Sequence, residues 1–158
     1  MKPKFVGRLN FAPQDPAEPK VWQLEEPFGL LYLQYFLIVL PWHKTDGASI
    51  PFFLRWILGT PFGKKNRFWA IFHDGGYGKY CRVIDLSLTT LSPEKLLECY
   101  GLLEKGHFVN PKLLGQDWWD KMCRDGSMVA AGCWKWKRNV VYSGLRRFGW
   151  LSWNRHRK

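Results

Sequence analysis

Acidic residues are scarce in this chain, and none follows Asp125. Aspartate and glutamate total 13 against 24 lysines and arginines, so the formal net charge is +11 at pH 7. This imbalance excludes an acidic surface overall. It predicts attraction to polyanions, such as nucleic acid, an anionic membrane surface or an acidic protein. A charge that serves solubility alone is the alternative explanation.

The four cysteines include no C-x-x-C pair, which argues against a zinc ribbon or a redox motif. We interpret them as buried or free thiols in a reducing compartment. No secretory signal opens the sequence, and the longest apolar run, residues 28–42, is interrupted by Gln34 and Pro41. A membrane span needs about 20 apolar residues. We therefore expect no transmembrane segment and a location in the cytoplasm or in a particle assembled there.

Apolar and aromatic residues, in contrast, are abundant: 46% of the chain is hydrophobic, with ten Trp and eleven Phe. A chain of 158 residues with this content predicts a single domain, residues 1–158, with a core of large rings. Short strands are expected at residues 4–10 and 21–24, and one or two buried strands at residues 30–40. The predicted fold class is α+β, with a small antiparallel sheet at the N-terminal side packed by four to five helices.

Helix signals follow these strands. Ser92 is expected to cap a helix over residues 93–105, and a second helix is expected over residues 111–124. Ser127 is expected to cap a last helix that runs to about Phe148. The buried stripe predicted for that last helix consists of Ala130, Trp134, Val141, Leu145 and Phe148.

The stretch 68–77 is the centre of the site prediction. Its apolar positions 68, 69, 71 and 72 predict a helix with one buried face. His73 and Asp74 then lie about 100° apart around the helix, beside a wall of aromatic rings. Such titratable pairs are typical of shifted pKa values and of metal sites. The alternative is a structural pair, formed by a core histidine and a helix-terminal aspartate.

The metal-site hypothesis combines this pair with carboxylates from elsewhere in the chain. Oxygen ligands and one imidazole suit Mg, Mn, Zn or Fe, and such a metal activates water and polarises a phosphoryl or acyl oxygen. Tyr77, one turn beyond His73, is expected to orient a ligand or to pack. The alternative is purely structural, because Asp46 can accept bonds within its own turn. The four predicted ligands of the divalent metal are Asp46, His73, Asp74 and Asp117.

Two ion pairs are also expected on the helix before Asp125. Asp117 is four residues from Lys121, and Asp120 is four residues from Arg124, so each carboxylate faces a cation on one side of the helix. Such pairs contribute little to stability.

The C-terminal segment is basic and rich in tryptophan, and its tail, residues 150–158, adds further charge. Cations interleaved with Trp134, Trp136, Trp150 and Trp153 suit a nucleic-acid backbone with stacked bases. A solvated helix face with a few core tryptophans is the alternative. The predicted nucleic-acid contacts are Lys135, Arg138, Arg146, Arg147, Arg155 and Arg157.

Three motifs occur in order: T-D-x-A-S-x-P at residues 45–51, H-D-x-x-Y at 73–77 and Y-x-x-L-R-x-x-G at 142–149. Over roughly residues 4–150 the chain resembles an uncharacterised family of phage and prophage proteins, domain of unknown function 1353. The resemblance implies a phage origin, and hence the host cytoplasm or the virion, but no established activity.

The chain departs from that family in three places. Gly75 and Gly76 follow the H-D pair where the family more often has bulky residues, and residues 81–110 look like an insertion. The later aspartate of the family is Asp117 or Asp120, and helix facing favours Asp117. The H-D pair also invites comparison with the HD-domain metal phosphohydrolases, in which case His43 has to serve as the upstream histidine.

Two functions are consistent with these features. The first is a phage-encoded metal-dependent hydrolase that acts on an anionic phosphoester or cell-wall substrate, with Asp46, His73, Asp74 and Tyr77 as catalytic residues. The second is a non-enzymatic virion or accessory protein that binds nucleic acid or an acidic phage protein through its basic C-terminal helix. Apart from the divalent metal, no cofactor is expected.

Overall fold

The computed structural model describes most of the chain. The turn of the first motif after Thr45 lies outside the described part, and so do Asp46 and Lys158. For residues 148–157 the description covers the backbone alone. The described residues are 2–13, 21–45, 59, 63, 65–77, 80–103, 107–109 and 114–157.

The strands form two small antiparallel sheets. Together with the helices they confirm the predicted α+β class, although the described strands fall into two sheets rather than one. The strands are β1 (Lys4–Val6), β2 (Phe11–Pro13), β3 (Trp22–Leu24), β4 (Phe28–Tyr32), β5 (Tyr35–Val39), β6 (Lys44–Thr45) and β7 (Cys81–Asp85). Their order is β1-β4-β5-β7 in the four-stranded sheet and β2-β3-β6 in the three-stranded sheet.

Five α-helices lie within the described residues: α1 (Asn66–Tyr77), α2 (Pro93–Glu98), α3 (Gln116–Met122), α4 (Met128–Ala130) and α5 (Lys135–Arg157). A π-helical segment, Cys123–Ser127, joins α3 to α4. Short 3₁₀ turns span Leu86–Leu88 and Tyr100–Leu102.

The apolar run at residues 30–40 forms a hairpin, because the chain turns between β4 and β5. Leu30 of β4 faces Leu37 of β5, and Leu33 in the turn has a φ of 54°. All five residues of β4 are buried. A strand covered on both faces reads as a continuous apolar run, which is what the sequence shows here.

Helices cover both faces of the four-stranded sheet, because successive side chains of β5 point to opposite faces. Leu37 belongs to one apolar cluster with Ile71 of α1 and Trp119 of α3. Ile38 belongs to another cluster with Leu96 of α2. The sheet therefore forms the central layer, and α1 lies on the same face as α3.

The last helix begins later than predicted. Ser127 lies inside the π-helical segment, and its hydroxyl donates a hydrogen bond of 3.2 Å to the carbonyl of Cys123. Gly132 has a φ of 67°, a conformation that glycine adopts readily and that commonly ends a helix. The prediction that Ser127 caps the last helix is therefore wrong, and α5 starts at Lys135.

This shift changes which side chains are buried. Trp134 was expected in the buried stripe, but it precedes α5 and is 71% exposed. Val141 and Leu145 do pack against an apolar cluster, which contains Trp69 of α1 and Cys133.

The other two predicted helices are present, but their first or last residues differ from the predicted ones. Ser92 caps α2 as expected, since its hydroxyl oxygen accepts a hydrogen bond of 3.2 Å from the Lys95 N–H. The α-helix ends at Glu98, earlier than the predicted end near residue 105. α3 begins at Gln116, and residues 110–113 lie outside the described part.

The segment 81–110 contributes to the main sheet. β7 opens this segment and pairs with β5, from Cys81 opposite Val39 to Asp85 opposite Tyr35. Within it, Val83 and Ile84 are buried in the two apolar clusters on opposite faces of the sheet. The start of this segment is therefore the edge strand next to β5.

Candidate functional site

The His-Asp pair lies at the junction of α1 with the three-stranded sheet. Asp74 Oδ2 accepts a hydrogen bond of 2.6 Å from the hydroxyl of Thr45, at the end of β6. Asp74 Oδ1 lies 3.2 Å from His73 Nδ1. Directly before His73 on α1, Phe72 packs on Phe28 of β4 with 5.5 Å between ring centroids. The packing of this ring on the sheet positions α1 so that the carboxylate of Asp74 reaches Thr45.

His73 uses one ring nitrogen and leaves the other without a partner in the described part of the chain. Nε2 is buried and accepts or donates no hydrogen bond there. The ring packs on Tyr77, with 4.2 Å between centroids. With the proton on Nδ1 and directed at Asp74, Nε2 presents a lone pair. Such an imidazole is chemically suited to act as a base or a metal ligand.

Tyr77 holds the buried carboxylate of α3. Its hydroxyl donates a hydrogen bond of 2.6 Å to Asp120 Oδ1, and Asp120 is 0% exposed. Burial, and then the hydrogen bond to Asp120, raise the pKa of Tyr77 far above its usual range. The phenol therefore stays protonated and acts as a hydrogen-bond donor. Of its two predicted roles, the geometry supplies packing on His73.

Asp120 also meets the last helix. Its Oδ2 lies 3.4 Å from Arg146 Nη1 of α5, so one carboxylate joins α1, α3 and α5. The expected pair between Asp120 and Arg124 is wrong, because Arg124 binds Asp125 instead, at 2.6 Å. The buried carboxylate takes its cation from a neighbouring helix because its own face of α3 is turned inward.

Asp117 lies on a different face of α3. It is 49% exposed and pairs with Lys121 at 2.6 Å, as expected from their spacing. That hydrogen bond lowers the pKa of Asp117 and raises the pKa of Lys121. Arg146 reaches Asp117 as well, at 3.6 Å. Asp120, not Asp117, is therefore the aspartate that is linked to α1 through Tyr77.

The structure brings together only part of the predicted metal-ligand set. His73 and Asp74 are in contact, Asp117 bonds on the exposed face of α3, and Asp46 lies outside the described residues. In the described ranges, no three His, Cys, Asp or Glu side chains are grouped as a metal ion requires. The divalent metal thus stays a prediction that depends on Asp46.

A role for His43 was predicted only through the comparison with the HD-domain metal phosphohydrolases. His43 is 3% exposed, and neither ring nitrogen has a hydrogen-bond partner among the described residues. Its ring lies 5.0 Å from that of Tyr80. Burial lowers the pKa of His43, and the nearby Asp74 carboxylate opposes that shift. The available signal in the sequence was the position of His43 two residues before Thr45, where the first motif begins.

The glycines after the His-Asp pair have a packing role. A Cβ on Gly76 would overlap the ring of Trp119, which is fully buried on α3. On Gly75 a Cβ would meet the methyl groups of Val39 at 3.4 Å. Trp119 of the opposite helix therefore occupies the space that a larger side chain at position 76 would need.

The predicted nucleic-acid contacts on α5 differ in exposure. Lys135 and Arg147 are exposed, whereas Arg138 is partly buried and Arg146 is held by the aspartates of α3. Trp134 and Trp136 are 71% and 45% exposed. The side chains of Arg155 and Arg157 lie outside the description, although their backbone continues α5. Three of the six predicted contacts, Lys135, Arg146 and Arg147, are therefore exposed on the described surface, and Arg146 is already paired with the aspartates of α3.

Comparison of the chain with protein-family models, with curated proteins and with solved structures gives no match. None of the described helices combines the length and the apolar character that crossing a membrane requires. The functional argument therefore depends on the residues of this chain.

Proposed function

We propose that this protein binds nucleic acid through an exposed surface at α5, called here the basic face. The basic face consists of Trp134, directly before the helix, and of Lys135, Trp136 and Arg147 on the helix. The observation that carries the proposal is the exposure of two indole rings beside exposed cations. Aromatic rings that stack on bases, together with cations that attract phosphates, are the usual components of such surfaces.

The charge distribution along the chain supports the same function. Eight of the 24 lysines and arginines follow Asp125, and no acidic residue accompanies them. A one-sided cationic segment raises the local concentration of polyanions and speeds their association. The motifs shared with phage and prophage proteins support a role as a phage accessory or virion protein, acting in the host cytoplasm or in the particle.

The direct test measures binding of labelled DNA at increasing NaCl concentrations. We expect the logarithm of the affinity to fall linearly with the logarithm of the salt concentration, because bound cations displace counterions from phosphates. The double variant Lys135→Glu/Arg147→Glu should weaken binding by about tenfold or more, since two phosphate contacts become repulsive.

The matched control reverses two exposed cations near the N-terminus, Lys2→Glu/Arg8→Glu, and changes the net charge equally. If both double variants weaken binding to the same extent, the attraction is due to overall charge and the basic face is not the site. Binding that does not depend on salt, or binding only to an acidic protein, would remove nucleic acid as the ligand.

A metal-dependent hydrolase acting on a phosphoester or a cell-wall substrate is the second candidate. The observation that favours it is His73, whose Nδ1 faces Asp74 while Nε2 has no partner in the described part. Asp46, His73 and Asp74 are then the residues to test. We expect wild-type protein incubated with zinc or manganese to retain metal, and Asp46→Ala and His73→Ala to lose it. If elemental analysis finds no metal in the wild-type protein or in either variant, the hydrolase candidate is removed.

A further inference from the structure

Three cations from two elements meet at the turn before α5. Lys65, just before α1, donates a hydrogen bond of 2.7 Å from Nζ to the carbonyl of Gly132. Lys65 is thereby held beside the residue that precedes Cys133, and Lys137 and Arg138 follow in the first turn of α5. The group formed by Lys65, Lys137 and Arg138 is called here the cation notch.

Two cations of the cation notch have hydrogen-bond donors that no described residue accepts. Arg138 Nε is buried and has no hydrogen-bond partner among the described residues. Lys65 uses one of its three ammonium donors on Gly132, which leaves two for another acceptor. Guanidinium and ammonium groups form strong hydrogen bonds with ionised acceptors such as phosphate oxygens.

The cation notch adjoins the two exposed rings of the basic face. Trp134 follows Cys133 directly, and Trp136 precedes Lys137. Exposed indoles next to a phosphate-binding position can stack on bases only if the base faces are free. In a duplex those faces are covered by neighbouring base pairs, so the indoles would be limited to contacts along the backbone.

We propose that the ligand of the basic face is single-stranded nucleic acid, with a backbone phosphate seated in the cation notch and unpaired bases stacked on Trp134 and Trp136. This inference rests on the proposed nucleic-acid function and specifies the ligand of that same site. It adds Lys65, which lies 70 residues before Lys135 in the chain, to the binding residues.

The experiment compares a fluorescent 20-nucleotide single strand with the corresponding duplex in anisotropy titrations at one salt concentration. We expect the single strand to bind about tenfold more tightly. Trp134→Ala/Trp136→Ala should weaken single-strand binding by about tenfold for each lost stack and leave duplex binding nearly unchanged. Lys65→Ala should reduce the salt slope by about one, because one phosphate contact is lost.

Matched controls exist for both kinds of change. Trp42 is 70% exposed on the β5–β6 turn, and Lys2 is an exposed cation near the N-terminus. Trp42→Ala and Lys2→Ala should leave single-strand affinity within about twofold, because neither residue belongs to the basic face or the cation notch. Urea unfolding of each variant separates a loss of binding from a loss of fold.

The possible results distinguish this inference from the function on which it rests. Equal affinity for single strand and duplex, with no effect of the tryptophan pair, overturns the single-strand inference and leaves the proposed function intact. An unchanged salt slope in Lys65→Ala overturns the phosphate position in the cation notch. Failure of both nucleic acids to bind overturns the proposed function itself.

Discussion

The two regions that carry the polar residues of this protein differ in how those residues are paired. Around α1, Asp74 accepts a hydrogen bond from Thr45, and the buried Asp120 joins Tyr77 to the partly exposed Arg146. On the basic face, the cations and indoles are exposed to solvent. The first region joins secondary-structure elements to each other, whereas the second presents its groups outward.

Because of this difference, mutations in the two regions should have different effects. A buried polar group that loses its partner keeps the cost of desolvation, so changes around α1 should appear mainly as lost stability. An exposed group keeps its contact with water when a neighbour is removed, so changes on the basic face should appear mainly as lost binding. Each of the following predictions tests that separation.

The largest effect is expected for Asp120→Ala. The change leaves the Tyr77 hydroxyl and the Arg146 guanidinium without their shared acceptor, at a position with 0% exposure. The Tyr77 donor loses a buried, charged acceptor, which costs about 3 kcal/mol, whereas Arg146 is partly exposed and keeps Asp117 at 3.6 Å. For a chain of this size the midpoint of thermal unfolding should fall by about 10 °C. Circular dichroism during heating measures this shift.

Asp117→Ala is the matched control, because Asp117 is also an aspartate of α3, three residues before Asp120, but lies on the exposed face. Its ion pair with Lys121 is exposed, so the loss should be below about 1 kcal/mol. If the two substitutions lower the free energy of unfolding equally, burial does not determine how much each carboxylate contributes to stability.

A second pair of substitutions compares two helical glycines. In Gly76→Ala the new methyl group would overlap the buried Trp119 ring, and overpacking of this kind costs about 1–3 kcal/mol. In Gly144→Ala on α5, no described heavy atom outside the neighbouring helix backbone lies within 4 Å of the new Cβ, so the helix should gain up to about 1 kcal/mol. Urea unfolding measures both, and a loss of stability in Gly144→Ala would mean that α5 is covered at this position.

The parts of the fold that follow from local pattern were predictable from the sequence. The apolar runs indicated β4 and β5, and the spacing of apolar residues indicated α1. β7 was missed because Arg82 and Asp85 interrupt its apolar residues, and only pairing with β5 makes it a strand. The start of α5 was predicted too early because Ser127 is a residue type that commonly caps helices. The actual break comes at Gly132, whose positive φ ends the preceding helical segment.

The candidate site was predictable only where its contacts are local. The contact of His73 with Asp74 and the pair of Asp117 with Lys121 follow from spacing along one helix. The role of Asp120 does not, because its partners are 43 and 26 residues away and belong to two other helices. Which side of α3 is buried is decided by those helices, and the sequence of α3 alone favoured the wrong partner for Asp120.

A pH-dependent effect is expected from His43. Because burial lowers its folded-state pKa below the usual value, the unfolded chain takes up a proton first as the pH falls through about 6.5. Stability should therefore decrease towards acid, by up to about 1.4 kcal/mol per pH unit until the folded-state pKa is reached. Urea unfolding at pH 7.0 and pH 5.5 measures the slope. His43→Leu should reduce it, and an unchanged slope in this variant would assign the pH dependence to other groups.

A smaller effect than for Asp120→Ala is expected for Thr45→Val, which keeps the shape of the side chain and removes the donor to Asp74. A hydrogen bond to a partly buried carboxylate contributes about 1–2 kcal/mol, and urea unfolding should show a loss of that size. Because Thr45 lies on β6 and not on the basic face, DNA affinity should be unchanged. Trp134→Ala should behave in the opposite way, with altered DNA affinity and unchanged stability, since its ring is mostly exposed. If Thr45→Val weakens DNA binding without unfolding the protein, the two regions are coupled. Two described connections join α1 to α5: the contacts of Asp120 with Tyr77 and Arg146, and the packing of Val141 and Leu145 on the cluster that contains Trp69.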